Sequence, residues 1–264
     1  NNVLTGVSLS GDKYTYQNPL NTDKPDRWEW HVCPCCPPMF LKIMAAMPGY
    51  IYAYQGDNVY VNLFIGSEVR VPVGKSNSVR LKQLTSYPWH GAVSIQVNPD
   101  KASTFSMKVR IPGWAQGTEN PYDLYQSNLK APVKLKVNQE DVLLRIVDGY
   151  AEINREWKKG DHIELELPMQ PRLITANKAV ENLRGQVALA SGPIIYCFED
   201  ADNPELQTFK LQAQTPLELS HDSNLLNGVN IIKCQGDIPA KAIPYYAVAN
   251  REESHSYKVW IPQK

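Results

Sequence analysis

Residues 31 to 40 read HVCPCCPPMF, which places Cys33, Cys35 and Cys36 within four positions and His31 just upstream of them. A thiolate is both a soft-metal ligand and a strong nucleophile, and zinc bound to sulfur keeps the thiol deprotonated at neutral pH. Adjacent thiols at Cys35 and Cys36 reach one ion only where the backbone bends between them. Pro34 and Pro37, on either side, restrict the chain toward such non-helical shapes. A structural zinc site usually takes four ligands, and this segment offers three thiols and one imidazole at most, so further ligands would come from elsewhere. The competing reading is that reduced, buried cysteines fill space at the start of a helix. By residue type alone the two stand level.

The elements that must position these thiols differ on their two sides. Upstream, GVSLSG and KYTYQNP are strand-like pieces separated by the turn signal Ser10-Gly11-Asp12, a hairpin followed by a polar loop. Downstream, PMFLKIMAAM over residues 38–47 carries a proline near its first turn and stops at Pro48-Gly49, which predicts a short helix. From Tyr50 onward the texture is β. Two runs joined by Gln55-Gly56-Asp57-Asn58 resemble a hairpin, and VRLKQLTSYP, AVSIQVNP, TFSMKVRIP, VKLKVN, VLLRIVDGYAEIN and HIELELPM follow. Period-two alternation puts one face of each strand on a core. Many such strands at intervals of about 8 to 12 residues predict an antiparallel β-sandwich.

A second strand-rich block begins near Pro171, with RLITAN, QVALASGPIIYCFED, TFKLQAQ, GVNIIKCQG, AIPYYAVAN and YKVWIP, and a looser polar stretch over residues 200–228. The expected division is therefore 1–50, 51–170 and 171–264, in a mainly β chain of 264 residues.

Charge is balanced, with 27 basic and 27 acidic residues and no basic stripe, so nucleic acid is not an expected partner. The longest apolar run, IMAAMPGYIYAY, is broken by Pro48 and Gly49 and falls short of the roughly 20 residues a membrane helix needs, so no membrane partner is expected either. Five cysteines without paired spacings form no disulfide framework. The first residues lack the basic start and apolar core of a secretory signal. Removal of a signal would place the protein in the periplasm or outside the cell, and a chain made without one would stay in the cytoplasm.

CCPPMFLKIMAAMPGYIYAYQGDNVYVNLFIGSEV, IPGWA, GYAEINREWKKGDHIELELPM, RGQVALASGPIIYC and AIPYYAVANR together resemble the C-terminal half of glycoside hydrolase family 127, the β-L-arabinofuranosidases and their relatives. The resemblance runs over essentially the whole chain. It implies an (α/α)6 catalytic barrel whose last part is residues 1–50, followed by two antiparallel, jelly-roll-like β-sandwiches over 51–170 and 171–264. It further implies that Cys35 is nucleophile and zinc ligand, that Cys36 is a second zinc ligand, and that the remaining ligands and the acid/base glutamate lie upstream of this chain. The isolated chain is then an inactive fragment of a retaining glycosidase acting on plant-type arabinofuranosyl glycans. Oligomer formation stays open.

Two positions depart from many relatives: Met39 and Lys42 stand where an amide and an arginine are common. Cys33 reads as a spare thiol beside the site or as a replacement ligand. Trp28, Trp30 and His31 are candidate substrate contacts, since an indole stacks on a sugar ring and an imidazole bonds to a hydroxyl. Packing of the loop competes with that use for the tryptophans. Because the resemblance places the acid upstream, Glu29 reads as a solvated loop residue. Trp89, Trp114 and Trp157 read as core plugs at strand ends rather than a sugar-binding patch. Cys197 and Cys234 read as core thiols, with a disulfide between them as the second reading. The alternative for the whole chain is a non-catalytic carbohydrate-binding or scaffolding β protein in which the cysteines only pack.

Overall fold

The alternation in AVSIQVNP becomes the strand Ala92–Pro99, whose Val93, Ile95 and Val97 turn to one apolar core while the residues between them face outward. The computed structural model describes residues 6–29, 32, 35–120, 122–236 and 238–264, except for the side chains of Cys36 and Pro37. The protein is mainly β with few helices. It divides into two compact units, one made of Ile43–Gln116 with Lys130–Met169, the other of Gly117–Leu129 and Gln170–Lys264 with the segment before Ile43.

In the first unit, a six-stranded sheet runs in the order Glu140–Asp141, Lys134–Val137, Asp161–Glu166, Ala92–Pro99, Asn77–Thr85, Ser67–Val73. A five-stranded sheet runs Ile146–Val147, Tyr150–Trp157, Ser103–Arg110, Asn58–Val61, Tyr52–Gln55. Both sheets feed one core, with Leu81, Ile95 and Ile163 from the first meeting Phe105, Met107 and Trp157 from the second. Trp157 is fully buried and its indole N–H donates to the Phe105 carbonyl at 3.0 Å. Trp114 packs half-buried against the same core, whereas Trp89 is exposed and is not the core plug expected. The hairpin at Gly56-Asp57 forms as expected, with Gly56 at φ +58° and Gln55 opposite Asn58.

One pairing departs from the all-antiparallel expectation: Asn58–Val61 runs parallel to Ser103–Arg110. Three strands of the other sheet separate them in sequence, so no tight turn forces the two to run in opposite directions.

Gly91 makes a close backbone approach. The Leu167 N–H donates to its carbonyl at 3.0 Å, and a Cβ at Gly91 would stand 2.0 Å from the Leu167 carbonyl oxygen. Gly91→Ala is therefore expected to cost about 1–3 kcal/mol. Denaturant unfolding would show it as a lower midpoint with unchanged slope, and an unchanged midpoint would refute the close approach.

The second unit is built on a single ten-stranded sheet whose main path is Leu217–Asp222, Val229–Cys234, Ala240–Pro244, Ile194–Glu199, Gln186–Ser191, Arg172–Ala176, Tyr125–Ser127. Its central strands bury successive side chains. Val187, Leu189, Tyr196 and Phe198 join one apolar cluster, and Ala188, Ala190 and Cys197 join another. Period two puts these clusters on opposite faces, which is why QVALAS and IIYCF read as unbroken apolar runs. Cys197 and Cys234 are buried free thiols belonging to opposite clusters, so the disulfide reading does not hold. Burial pushes the Cys197 thiol well above its ordinary range and Cys234 up to about 12.

TFKLQAQ is not a strand. Turn bonds from Thr208 and Phe209 N–H to the Glu205 carbonyl carry this segment, which buries Phe209 and Leu211 against the sheet face and bridges it only at Leu211–Gln263. The polar stretch instead supplies the edge strand Leu217–Asp222, half-exposed and without clean alternation. At the beginning of the chain, Val7 and Tyr14 bridge across a turn with Gly11 at φ +79°, the expected hairpin in minimal form. Asn21–Thr22 then pairs with Tyr257–Lys258, and the Tyr245 and Tyr257 hydroxyls both donate to the Pro19 carbonyl. Among the described residues no helix is long and apolar enough to cross a membrane.

Candidate functional site

CPPMFLKIMAA folds into the helix Cys36–Ala46, which starts two residues before the expected 38–47 and ends one residue before it. Pro37 and Pro38 lie in its first turn, where a missing N–H costs no helix bond. Cys35 is the turn residue immediately before the helix, and it is exposed. Cys36 is the first helical residue and Pro37 follows it inside the helix, so the non-helical shape expected around the cysteines stops at Cys35. Met39, Leu41, Ile43 and Met44 are all exposed, and Lys42 among them is exposed as well. A helix apolar on every side is ordinarily a buried one.

Trp28 is half-buried, stacks on Tyr16 with ring centroids 6.0 Å apart, and donates its indole N–H to Asp26. Together with Tyr16, Asp26, Arg27 and Tyr257 it lines a cavity of about 130 Å³. Glu29 is exposed, as a solvated loop residue should be. Trp30, His31 and Cys33 lie outside the described residues. A larger cleft of about 640 Å³, lined by Glu68, Lys82, Gln83 and His90 among others, contains none of the residues singled out from the sequence.

As a zinc site the donor chemistry is of the right kind and short in number. Cys35 and Cys36 would offer two sulfur donors adjacent on the backbone, and the described residues hold no cluster of three or more His, Cys, Asp or Glu able to bind a metal. The chain therefore fits as a partial ligand set.

Arg27 went unremarked in the sequence because a lone arginine in a polar run carries no signal. Its Nε donates to the Ala249 carbonyl at 3.0 Å and its Nη2 to the Val248 carbonyl at 2.8 Å. Burial pulls its pKa down from the ordinary value, against the opposing pull of Tyr257 and Glu199. Behind this contact lies an ionic network. The fully buried Glu199 accepts from the Ala249 N–H at 2.8 Å and from Arg251, which also donates to Asp202 at 2.7 Å, and Lys241 pairs with Asp202. Burial alone would lower the Arg251 pKa, but its hydrogen bonds to Asp202 and Glu199 hold it above the ordinary value.

Burial would raise the Asp202 carboxyl, and the hydrogen bonds from Arg251 and Lys241 outweigh it, leaving the pKa below its ordinary value. A depressed folded-state pKa contributes stability that is present above the unfolded value of about 3.9 and is lost as pH falls through the folded one. Thermal melts should therefore fall away below about pH 4, and Asp202→Asn should melt lower at neutral pH with a shallower acid decline. A parallel decline in both proteins would refute the assignment.

Three family models match the chain in succession: the GH127 catalytic domain of β-L-arabinofuranosidase over residues 1–49, its middle domain over 58–169, and the family 127 C-terminal domain over 171–262. The chain belongs to glycoside hydrolase family 127 and corresponds to a C-terminal portion of it. It is 29% identical, over 96% of its length, to the non-reducing end β-L-arabinofuranosidase of Bifidobacterium longum subsp. longum, covering 42% of that protein. A solved GH127 β-arabinofuranosidase superposes with a TM-score of 0.90 at 34% identity, covering 100% of this chain and 44% of that one. A GH127 β-L-arabinofuranosidase from Geobacillus stearothermophilus T6 gives 0.89 at 33%, covering 100% and 45%. The chain thus spans less than half the length of these relatives.

Proposed function

We propose that the chain is the C-terminal part of a zinc-dependent retaining glycosidase that uses Cys35 as its nucleophile on arabinofuranosyl-containing glycans, and that it is inactive in isolation. The observation that carries this reading is the position of Cys35. Within the stretch matched by the catalytic-domain model, it is an exposed thiol at the head of a helix whose Met39, Leu41, Ile43 and Met44 stand uncovered. Those uncovered side chains support taking residues 1–50 as the last part of an (α/α)6 barrel. In the same reading residues 51–170 and 171–264 are jelly-roll-like sandwich domains.

Zinc held in part by Cys35 and Cys36 would keep the thiols deprotonated at neutral pH. The Cys35 sulfur attacks the anomeric carbon, a C–S bond forms as the glycosidic C–O bond breaks, and the departing oxygen takes a proton from a carboxylic acid of the parent protein. Water then attacks the same carbon, its proton passes to that carboxylate, and the electron pair of the C–S bond returns to sulfur. Two inversions give net retention. Trp28 would contribute an aromatic face beside the approach to the thiol, with Trp30 and His31 as further contacts.

The test is hydrolysis of an aryl arabinofuranoside by the full-length parent, its Cys35→Ser variant and the isolated chain, with zinc measured on each. The parent should turn over the substrate and the other two should not. Cleavage of pyranosides alone would overturn the sugar assignment.

A further inference from the structure

The segment leading to Cys35 is held by the far end of the chain. Arg27 lies in the stretch matched by the catalytic-domain model, and the Val248 and Ala249 carbonyls that receive its two N–H donors lie in the stretch matched by the C-terminal domain. We propose that Arg27 is a positioning residue for Cys35, and that the turn at Val248–Ala249 is its seat. The proposal rests on the reading of Cys35 as nucleophile.

The seat is built to stay in place. Ala249 sits at φ +55°, a left-handed conformation that a residue with a Cβ adopts only when its surroundings hold it there. Glu199, buried at the end of the strand Ile194–Glu199, holds it by accepting the Ala249 N–H, while its other carboxylate oxygen accepts from Arg251. Both Ala249 carbonyl and amide are thus engaged, one by Arg27 and one by Glu199. On the other side, the planar guanidinium fork fixes direction as well as distance, because two donors on one rigid group meet two successive carbonyls. Trp28, the next residue, is pinned in turn: its N–H and C=O both bond to Tyr14 at 2.8 Å. The chain therefore leaves this clamp toward Cys35 from a fixed point on the Val248–Ala249 turn. Displacement of a reacting group by about 1 Å costs up to about a hundredfold in rate, so an anchor of this kind acts on turnover.

The test uses the full-length parent with Arg27→Met, Arg27→Lys and Lys241→Met. The last breaks the neighbouring Asp202 pair without touching Arg27. Turnover and KM for an aryl arabinofuranoside are measured well below each variant's melting temperature. Arg27→Met should lower kcat roughly ten- to hundredfold with little change in KM. Lys241→Met, with a comparable fall in melting temperature, should keep kcat. Arg27→Lys keeps the charge and loses the fork, so it should recover only part of the rate. Equal kcat in Arg27→Met and Lys241→Met overturns the proposal, and should Arg27→Met fail to fold, full kcat in Arg27→Lys overturns it instead. A Cys35→Ser enzyme with normal turnover would remove the thiol reading itself. Loss in Cys35→Ser with normal Arg27 variants would remove the positioning role alone.

Discussion

Cys35→Ser in the full-length parent is expected to lower arabinofuranoside turnover by roughly four to six powers of ten, the scale seen when a nucleophile is deleted. On the proposed reading of Cys35 as nucleophile and zinc ligand, the loss is large because a serine hydroxyl is barely ionised at neutral pH and is a poor ligand for zinc, so one substitution would remove both attack and metal binding. Zinc content should fall with it. Cys36→Ser separates the two roles: it removes a ligand and leaves the attacking sulfur, so zinc should drop while residual turnover exceeds that of Cys35→Ser. Cys234→Ala serves as control, since that thiol is buried on the C-terminal sheet and its pKa is pushed up to about 12. Its loss should leave turnover intact. Alkylation should likewise modify the exposed Cys35 and spare Cys197 and Cys234 in the folded protein. Turnover within about tenfold of wild type in Cys35→Ser would end the nucleophile reading.

Local chemistry was the part of this protein most open to reading from its residues. AVSIQVNP became a strand with those same ends because period-two alternation over a half-buried face is a local property. The helix after the cysteines followed from a proline start and a Pro-Gly stop. Elements whose identity depends on distant partners were harder to read. TFKLQAQ has the composition of a strand, yet turns at Glu205–Phe209 fold it over the sheet so that it buries Phe209 and Leu211 with a bridge at Leu211–Gln263 in place of a ladder. Leu217–Asp222 lacks alternation and still becomes a strand, because Val229–Cys234 offers it a free edge. For the site, Cys35 and Cys36 announce themselves by type and spacing. Arg27 does not, since its partners are backbone carbonyls 221 and 222 residues away and a carbonyl has no sequence signature. Residues 117–129 hide for the same reason: nothing in them shows that they leave one unit to pair Tyr125–Ser127 with Arg172–Ala176 in the other.

That excursion delivers Glu119, and Glu119→Ala is expected to destabilise the protein by about 3–5 kcal/mol. The Arg172 side chain is 2% exposed and that of Glu119 7%, so neither charge can turn to water. Arg172 Nε and Nη2 donate to the two carboxylate oxygens at 2.7 and 2.9 Å, and Nη1 donates to the Gly192 carbonyl at 2.7 Å. Every direction of the guanidinium fork that the structure uses is thereby satisfied inside the protein. Removing Glu119 takes the paired charge away from a buried cation, which is the costly way to break such a pair. At the stability of a chain this long, the loss corresponds to a fall in melting temperature of roughly 6–20 °C. Glu119→Leu combined with Arg172→Met should recover most of it, because two apolar side chains of similar bulk carry no desolvation cost, although the Gly192 carbonyl then loses its donor. Glu119→Gln should fall between, since an amide keeps one acceptor and loses the charge. A melting temperature for Glu119→Ala within a degree or two of wild type would mean that water reaches Arg172, and that residues 117–129 are tied to the C-terminal sheet by strand pairing alone.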